Sequence, residues 1–253
     1  VPYVASLNIH FGIKDIMEID VVGYRTLETF SKATKFNKWL YSKFSNYVGQ
    51  RVLEIGSGIG NLTVCINSKE IYATDYSDYY IEILKQRFIE KHNITVQKLD
   101  ARREKDFRSL KAYGTFDTVI CCNVLEHIKE DDMVIQNFND SLVEQGNLIL
   151  LVPFSQWLYC NYDRNLGHCR RYYRKDCINL LTAHNFVLER IFLFNFFGGA
   201  GWLVFGKLLR QEHIGSSLMG VYDKCVPVFS LIEKYGTPFG ASIICIAKKS
   251  KKT

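Results

Sequence analysis

The sequence has 253 residues, of which 47% are apolar and 23% charged, and carries a net charge of +6. That is enough apolar material for one large domain. Four of the positive charges stand in the run Lys248, Lys249, Lys251 and Lys252; without them the body is nearly neutral, which argues against a protein built to grip duplex nucleic acid.

Residues 1–48 form an expected N-terminal segment, mixed to Gly23 and helical from about Arg25 to Tyr47. Leu27, Phe30, Ala33, Phe36, Trp39 and Leu40 are spaced there for one apolar face. Strand-like and helix-like runs then alternate over residues 51–153. Strands are predicted at Arg51–Ile55, Glu70–Thr74, Thr95–Lys98, Asp117–Cys122 and Asn147–Pro153. Helices are predicted at Asn61–Ile66, Asp78–Lys91, Glu104–Lys111 and Asp131–Leu142. Such alternation gives a parallel sheet with helices on both faces and a ligand site at the carboxyl ends of the strands. Gly56, Asp75, Asp100, Asn123 and Pro153 all fall at those ends.

The most informative string is Val52-Leu53-Glu54-Ile55-Gly56-Ser57-Gly58-Ile59-Gly60. Its glycines let a strand turn sharply and let a ligand lie against bare backbone. Asp75, about twenty residues on, suits a ribose diol. The expected ligand is therefore an adenosine-containing cofactor. The spacing is G-x-G-x-G, and Glu54 precedes the first glycine. A pyrophosphate would be repelled by that carboxylate, whereas an amino group or a sulfonium would be attracted. A nicotinamide dehydrogenase is disfavoured on both counts.

With Asp75, Asp100 and the segment Asn123-Val124-Leu125-Glu126-His127-Ile128, this string resembles the motifs of class I S-adenosylmethionine-dependent methyltransferases. The likeness runs from about Arg25 to Lys249 and is strongest between Val52 and Pro153. It implies an α/β, Rossmann-like fold: a seven-stranded, mostly parallel sheet with helices on both faces and the last strand antiparallel. An N-terminal helix and a C-terminal cap insertion complete it. It also implies S-adenosylmethionine as cofactor, with S-adenosylhomocysteine as product. Gly56, Gly58 and Gly60 would face the methionine part, and Glu54 its amino group. Asp75 would accept from the ribose hydroxyls, Tyr76 pack on the adenine, and Asp100 and the Ala101 amide hold the adenine edge. Asn123 would stand at the strand tip beside the methyl group. For Asp75 and Asp100 the alternative is a turn or helix-capping role.

Residues 154–235 are expected to form a substrate loop and cap. The loop Tyr162-Asp163-Arg164-Asn165-Leu166-Gly167-His168-Cys169-Arg170-Arg171-Tyr172 resembles a D-x-x-L-G-H-x-R-R-Y signature in a methyltransferase subgroup associated with glycan and polyprenyl-phosphate sugar genes. A histidine titrates near neutrality and can take a hydroxyl proton. His168 is the first candidate base and His127 the second; the alternative for each is a hydrogen-bonding, structural role. Arg164, Arg170 and Arg171, with Tyr172, are candidates for binding an anionic acceptor, the alternative being that one or two arginines brace acidic neighbours such as Asp163. A helix is predicted at Cys177–His184 and a strand at Val187–Phe194. Phe192–Gly206 has no charged side chain and is too short to span a bilayer. The apolar region Phe192–Leu209 is expected to cap the site, the alternative being that it covers a lipid tail or dips into a membrane interface.

Residues 236–253 supply a last strand, Ser242–Ala247, and the basic tail. The eight cysteines include no C-x-x-C pair, and Cys121 and Cys122, adjacent on a strand, point to opposite faces. No metal site is expected from them. Reduced thiols and no recognisable signal segment lead to a cytoplasmic expectation. One methyltransferase domain is expected over 1–253, moving a methyl group to oxygen on a small-molecule or glycan acceptor, anionic or lipid-linked among the candidates. An RNA or protein methyltransferase, or a non-catalytic cofactor-binding protein, is the alternative.

Overall fold

The computed structural model describes residues 21–209 and 215–251; expectations for residues 1–20 and for Lys252 lie outside them. In chain order come α1 (Val21–Ser31), α2 (Thr34–Ser42), β1 (Arg51–Ile55), β2 (Glu70–Asp75), α3 (Asp78–Arg87), β3 (Ile94–Lys98), α4 (Glu104–Leu110), β4 (Phe116–Cys122) and α5 (Asp131–Ser141). β5 (Leu142–Pro153), α6 (Asn161–Asn165), α7 (Arg174–Ala183), β6 (Phe186–Phe194), α8 (Phe196–Gly201), α9 (Ser216–Ile232) and β7 (Ser242–Lys249) follow. α8 runs on into a wide π-type turn at Trp202–Leu208.

The seven strands pair in the order β3-β2-β1-β4-β5-β7-β6. All are parallel except β7, which is antiparallel to both β5 and β6. Alternation along the strands sorts side chains into two cores. Leu53, Val119, Cys121, Leu148, Leu150 and Cys245 face one way, against Phe107, Phe138 and Leu181. Val52, Ile120, Ile149, Leu151, Ile244 and Ile246 face the other way, against Phe36, Trp39, Met219 and Val226.

Three expectations need correction, and one element was not predicted. The helix predicted over Arg25–Tyr47 is two helices. Ser31 Oγ donates to the Glu28 carbonyl at 2.7 Å and Asn37 Nδ2 to the Phe30 carbonyl at 2.9 Å, so side chains take carbonyls a continuous helix would need. The helix predicted at Asn61–Ile66 is a single 3-10 turn, Thr63–Cys65. A helix returning along the five-residue β1 must climb roughly 16 Å, which takes about eleven residues. Only 14 residues separate Ile55 from Glu70, and the glycine loop uses the first of them.

Lys248 and Lys249 belong to β7 rather than to a solvated tail. Lys248 pairs with Glu189 at 2.6 Å, and Lys249 Nζ donates to the Asn139 and Leu142 carbonyls. Finally, α9 had no sequence prediction. Pro227 interrupts its pattern; what holds it is tertiary. Met219 and Val226 are buried, and Asp223 accepts from the Phe36 amide at 2.8 Å at the start of α2.

Candidate functional site

Every feature of the site hangs from a strand end on the same edge of the sheet. After β1, Gly56, Gly58 and Gly60 have φ of 69°, 55° and 82°, which favour glycine. A Cβ on Gly56 would stand 2.3 Å from Val124 Cγ2, and one on Gly58 2.9 Å from Leu27 Cδ1. The loop is thus a cradle that side chains of its own would fill. Beneath it Glu54 is 3% exposed, and its Oε2 accepts from Ser57 at 2.9 Å and Thr63 at 2.6 Å. Burial pushes its carboxyl up to about 7, against the pull of those two hydroxyls.

Asp75 closes the cradle from the end of β2. Its Oδ2 accepts from the Gly58 amide and its Oδ1 from the Ser77 amide, both at 3.0 Å. Burial nevertheless raises its pKa, because these amides offset the loss of water only in part. The turn-forming alternative is therefore realised, and the oxygens keep lone pairs for further donors.

Asp100, after β3, is gripped by Arg102 through Nε and Nη2, both at 2.8 Å, and by Arg103 at 3.4 Å. The Arg102 bonds hold its pKa below the ordinary carboxylate range. Arg102 also lies over the Tyr76 ring, 5.7 Å from its centre. Arg102 thus stands between Tyr76 and Asp100, a guanidinium that the sequence did not predict. Ala101 is buried beside them.

β4 and β5 supply the other half. Asn123 and Ser155, just beyond those strands, adopt left-handed φ of 54° and 63°. Non-glycine residues held this way concentrate at functional sites. Glu126 and His127 follow in a 3-10 turn, Leu125–His127. Glu126 is fully buried and neither carboxylate oxygen has a hydrogen-bond partner. Burial pushes it up to about 7, opposed first by the nearby His168. His127 is lowered to about 4, first by partial burial and then by His168.

The substrate loop brings His168 to this point. Its Nδ1 is 2.9 Å from Asp163 Oδ1, its Nε2 is 3.9 Å from Glu126 Oε1, and its ring meets His127 edge to face at 4.7 Å. An ionised Asp163 can only accept, so Nδ1 carries the proton and the Nε2 lone pair is free. Burial works against the charge of Asp163, but hydrogen bonds from His168 and Arg171 outweigh it.

The arginines divide. Arg171 is 4% exposed, donates to Asp163 Oδ1 at 2.8 Å and lies 4.5 Å over Trp202. Arg170 pairs with Asp131 at 2.7 Å, and Tyr172 donates to the same carboxylate at 2.9 Å. These three side chains, expected to meet an acceptor, brace the loop in this structure. Arg164 is exposed and reaches Asn161 at 3.3 Å. Asp163 and Glu126 are the polar residues whose weight the sequence understated. The five-residue step from Asp163 to His168 across Gly167 was the available signal.

The cradle also has a cover. From α1, Leu27 packs on Gly58, the Leu27 carbonyl accepts from Asn61 Nδ2 at 2.8 Å, and Thr26 Oγ1 lies 3.1 Å from the Tyr162 hydroxyl. A separate cavity of about 300 Å³ between α2 and the Thr63–Cys65 turn, lined in part by Lys38 and Arg87, includes none of the site's carboxylates or histidines.

A family model for the methyltransferase domain matches residues 53–148, the stretch that carries the cradle, Asp75, Asp100 and Glu126. Residues 53–148 thus form a methyltransferase domain, and the sheet around them has the fold of S-adenosylmethionine-dependent methyltransferases. Among curated proteins, this domain is similar to probable polyketide synthase 23 of Dictyostelium discoideum, at 27% identity over 170 residues, covering 54% of this chain and 7% of that protein. It is also similar to the compactin diketide synthase of Penicillium citrinum, at 30% over 110 residues, covering 40% of this chain and 4% of that one. The methyltransferase domain thus spans a small fraction of the curated relatives it matches. Among solved structures, the magnesium protoporphyrin IX methyltransferase of Synechocystis, with bound S-adenosylhomocysteine, shares the fold at TM-score 0.53 and 17% identity, covering 92% and 89% of the two chains. The [4+2]-cyclase SpnF shares it at 0.57 and 15%, covering 85% and 81%. Among the described residues, no helix of the methyltransferase domain is long and apolar enough to cross a membrane.

Proposed function

We propose that this domain methylates an oxygen atom on a small-molecule or glycan acceptor. The observation that carries the proposal is one edge of the sheet holding both a glycine cradle floored by buried Glu54 and Asp75 and, two strands away, a histidine backed by a carboxylate. The cradle fits a cationic adenosine cofactor, since glycine loops admit it to the backbone and the two carboxylates match its charge. S-adenosylmethionine, when bound, supplies a methyl group whose bond to sulfur breaks, leaving its electron pair on sulfur, as the acceptor oxygen forms the new bond to carbon.

The residues then have separable tasks. Asp75 accepts from the ribose hydroxyls, and Glu54 takes the amino group. Asn123 fixes the acceptor against the methyl position. His168 Nε2 receives the hydroxyl proton, while Asp163 holds the tautomer that makes this nitrogen basic. Orientation alone is worth on the order of 7–11 kcal/mol, and a positioned base a further ~10²–10⁴-fold. An anionic acceptor would meet Arg164, which no carboxylate among the described residues engages. A lipid-linked one would run along exposed Trp157, Leu208 and Leu209 of the cap. All eight cysteines are free, which suits the reducing cytoplasm.

The test is isotopic. Cell extract incubated with the protein and methyl-labelled cofactor should yield a labelled small molecule or glycan whose methyl is carried on oxygen. Asp75→Ala should weaken S-adenosylhomocysteine binding about 10- to 150-fold by calorimetry, as expected for a lost charged hydrogen bond. Label on nitrogen or carbon would refute the acceptor assignment, and unchanged affinity would remove Asp75 from the cofactor site.

A further inference from the structure

Glu126, His127 and His168 are explained only in part by a base that acts alone. Each offers one ligand atom, and those atoms lie within 4.8 Å of one another. Glu126 is fully buried, neither of its oxygens has a hydrogen-bond partner, and one of them lies in this group. A buried carboxylate without a donor is costly, so something positive is missing beside it. Arg171, the nearest buried cation, is directed at Asp163 instead. The 3.9 Å from His168 Nε2 to Glu126 Oε1 is too long for a hydrogen bond. It is close to the separation, roughly 3.0–3.5 Å, of two ligands that share an ion at about 2.1 Å.

The His168 imidazole is tethered through the nitrogen that a ligand would not use. His168 Nδ1 is held by Asp163 at 2.9 Å. The His127 ring stands beside the Gly167 backbone. Metal-ligating histidines are oriented in this way, by a carboxylate or a backbone carbonyl on the far nitrogen. Exposed His127 can rotate to close the remaining distance.

We propose that Glu126, His127 and His168 bind one first-row divalent cation, of the Mn²⁺ to Zn²⁺ series, with coordination positions left open to solvent. Two imidazoles with one carboxylate select such ions over Ca²⁺, which takes oxygen ligands. The absence of a metal site expected from the cysteines did not weigh this histidine pair. A role follows that rests on the oxygen-acceptor proposal. The acceptor hydroxyl would occupy an open position, its proton would leave to water, and His168 would act as ligand rather than base.

The cation is tested without any acceptor. The full chain, stripped of metal and free of any histidine tag, is titrated with MnCl₂ and with ZnCl₂ by calorimetry, and with Co²⁺ by visible absorption. One site per chain is expected. Glu126→Gln and His127→Ala should each weaken it at least about tenfold while still binding S-adenosylhomocysteine, which shows that they fold. No uptake up to about 1 mM metal, or equal affinity in wild type and both variants, would overturn the site. If the cation binds but chelation leaves methyl transfer to oxygen unchanged, the acceptor role is wrong and the base assignment for His168 stands.

Discussion

Glu54 keeps a carboxyl group where water does not reach, and that sets a pH dependence with two opposite signs. Its pKa is pushed from an ordinary 4.5 up to about 7 in the fold. Below 4.5 it is protonated whether folded or unfolded, and the fold carries no burial penalty from it. As pH rises from 4.5 through 7 the unfolded chain ionises first, so the ligand-free protein loses stability across that window. Binding runs the other way. The amino group of the cofactor favours the ionised form, so affinity should rise with pH, by up to about tenfold per unit below 7, and level off above it. Calorimetry in buffers of different ionisation enthalpy should detect proton release near pH 6. Glu54→Gln should flatten the profile, and a flat wild-type profile would show that Glu54 does not meet the ligand.

At the scale of elements, the loop between β5 and α7 is stiffened from inside. Asp163 holds His168 and Arg171 together, Arg171 stacks on Trp202 beyond α8, and Tyr172 and Arg170 share Asp131 at the start of α5. Arg171→Ala should therefore cost about 3–5 kcal/mol of stability, as for other broken buried pairs, read as a lowered unfolding midpoint. A raised Michaelis constant with unchanged melting would mean instead that Arg171 meets the acceptor. The β/α alternation and the strand-end positions of Gly56, Asp75, Asp100 and Asn123 were legible, because period-two burial and glycine turns are local signals. Arg171 was not. Its partner is eight residues away across a turn, and composition cannot say whether an arginine points into the loop or out of it. The 3-10 turn after the cradle was illegible for a related reason, since the span it must cross is set by neighbouring strands. α9 is held by Asp223 and Met219 against α2, some 180 residues earlier in the chain, a contact no sequence window contains.

For the whole molecule, the proposed cofactor cleft lies at the centre of the sheet, and occupancy should be felt as global stability. S-adenosylhomocysteine at about a hundred times its dissociation constant should add ~2.7 kcal/mol, or roughly 5–10 °C in unfolding midpoint for a chain of this size. NAD at the same concentration should leave the midpoint unmoved. Scanning fluorimetry reads both, and the reverse ranking would reassign the cradle to a dinucleotide. β7 carries a different consequence. It lies between β5 and β6 and, among the described residues, is the only partner β6 has. While the chain emerges from a ribosome, β1 to β5 can assemble, but β6 has nothing to pair with, and one side of β5 stays bare until Ser242–Lys249 has been synthesised. Over that interval the nascent protein displays an unpaired, strongly apolar ladder, the state in which it is most open to chaperones and to pairing with another copy of itself.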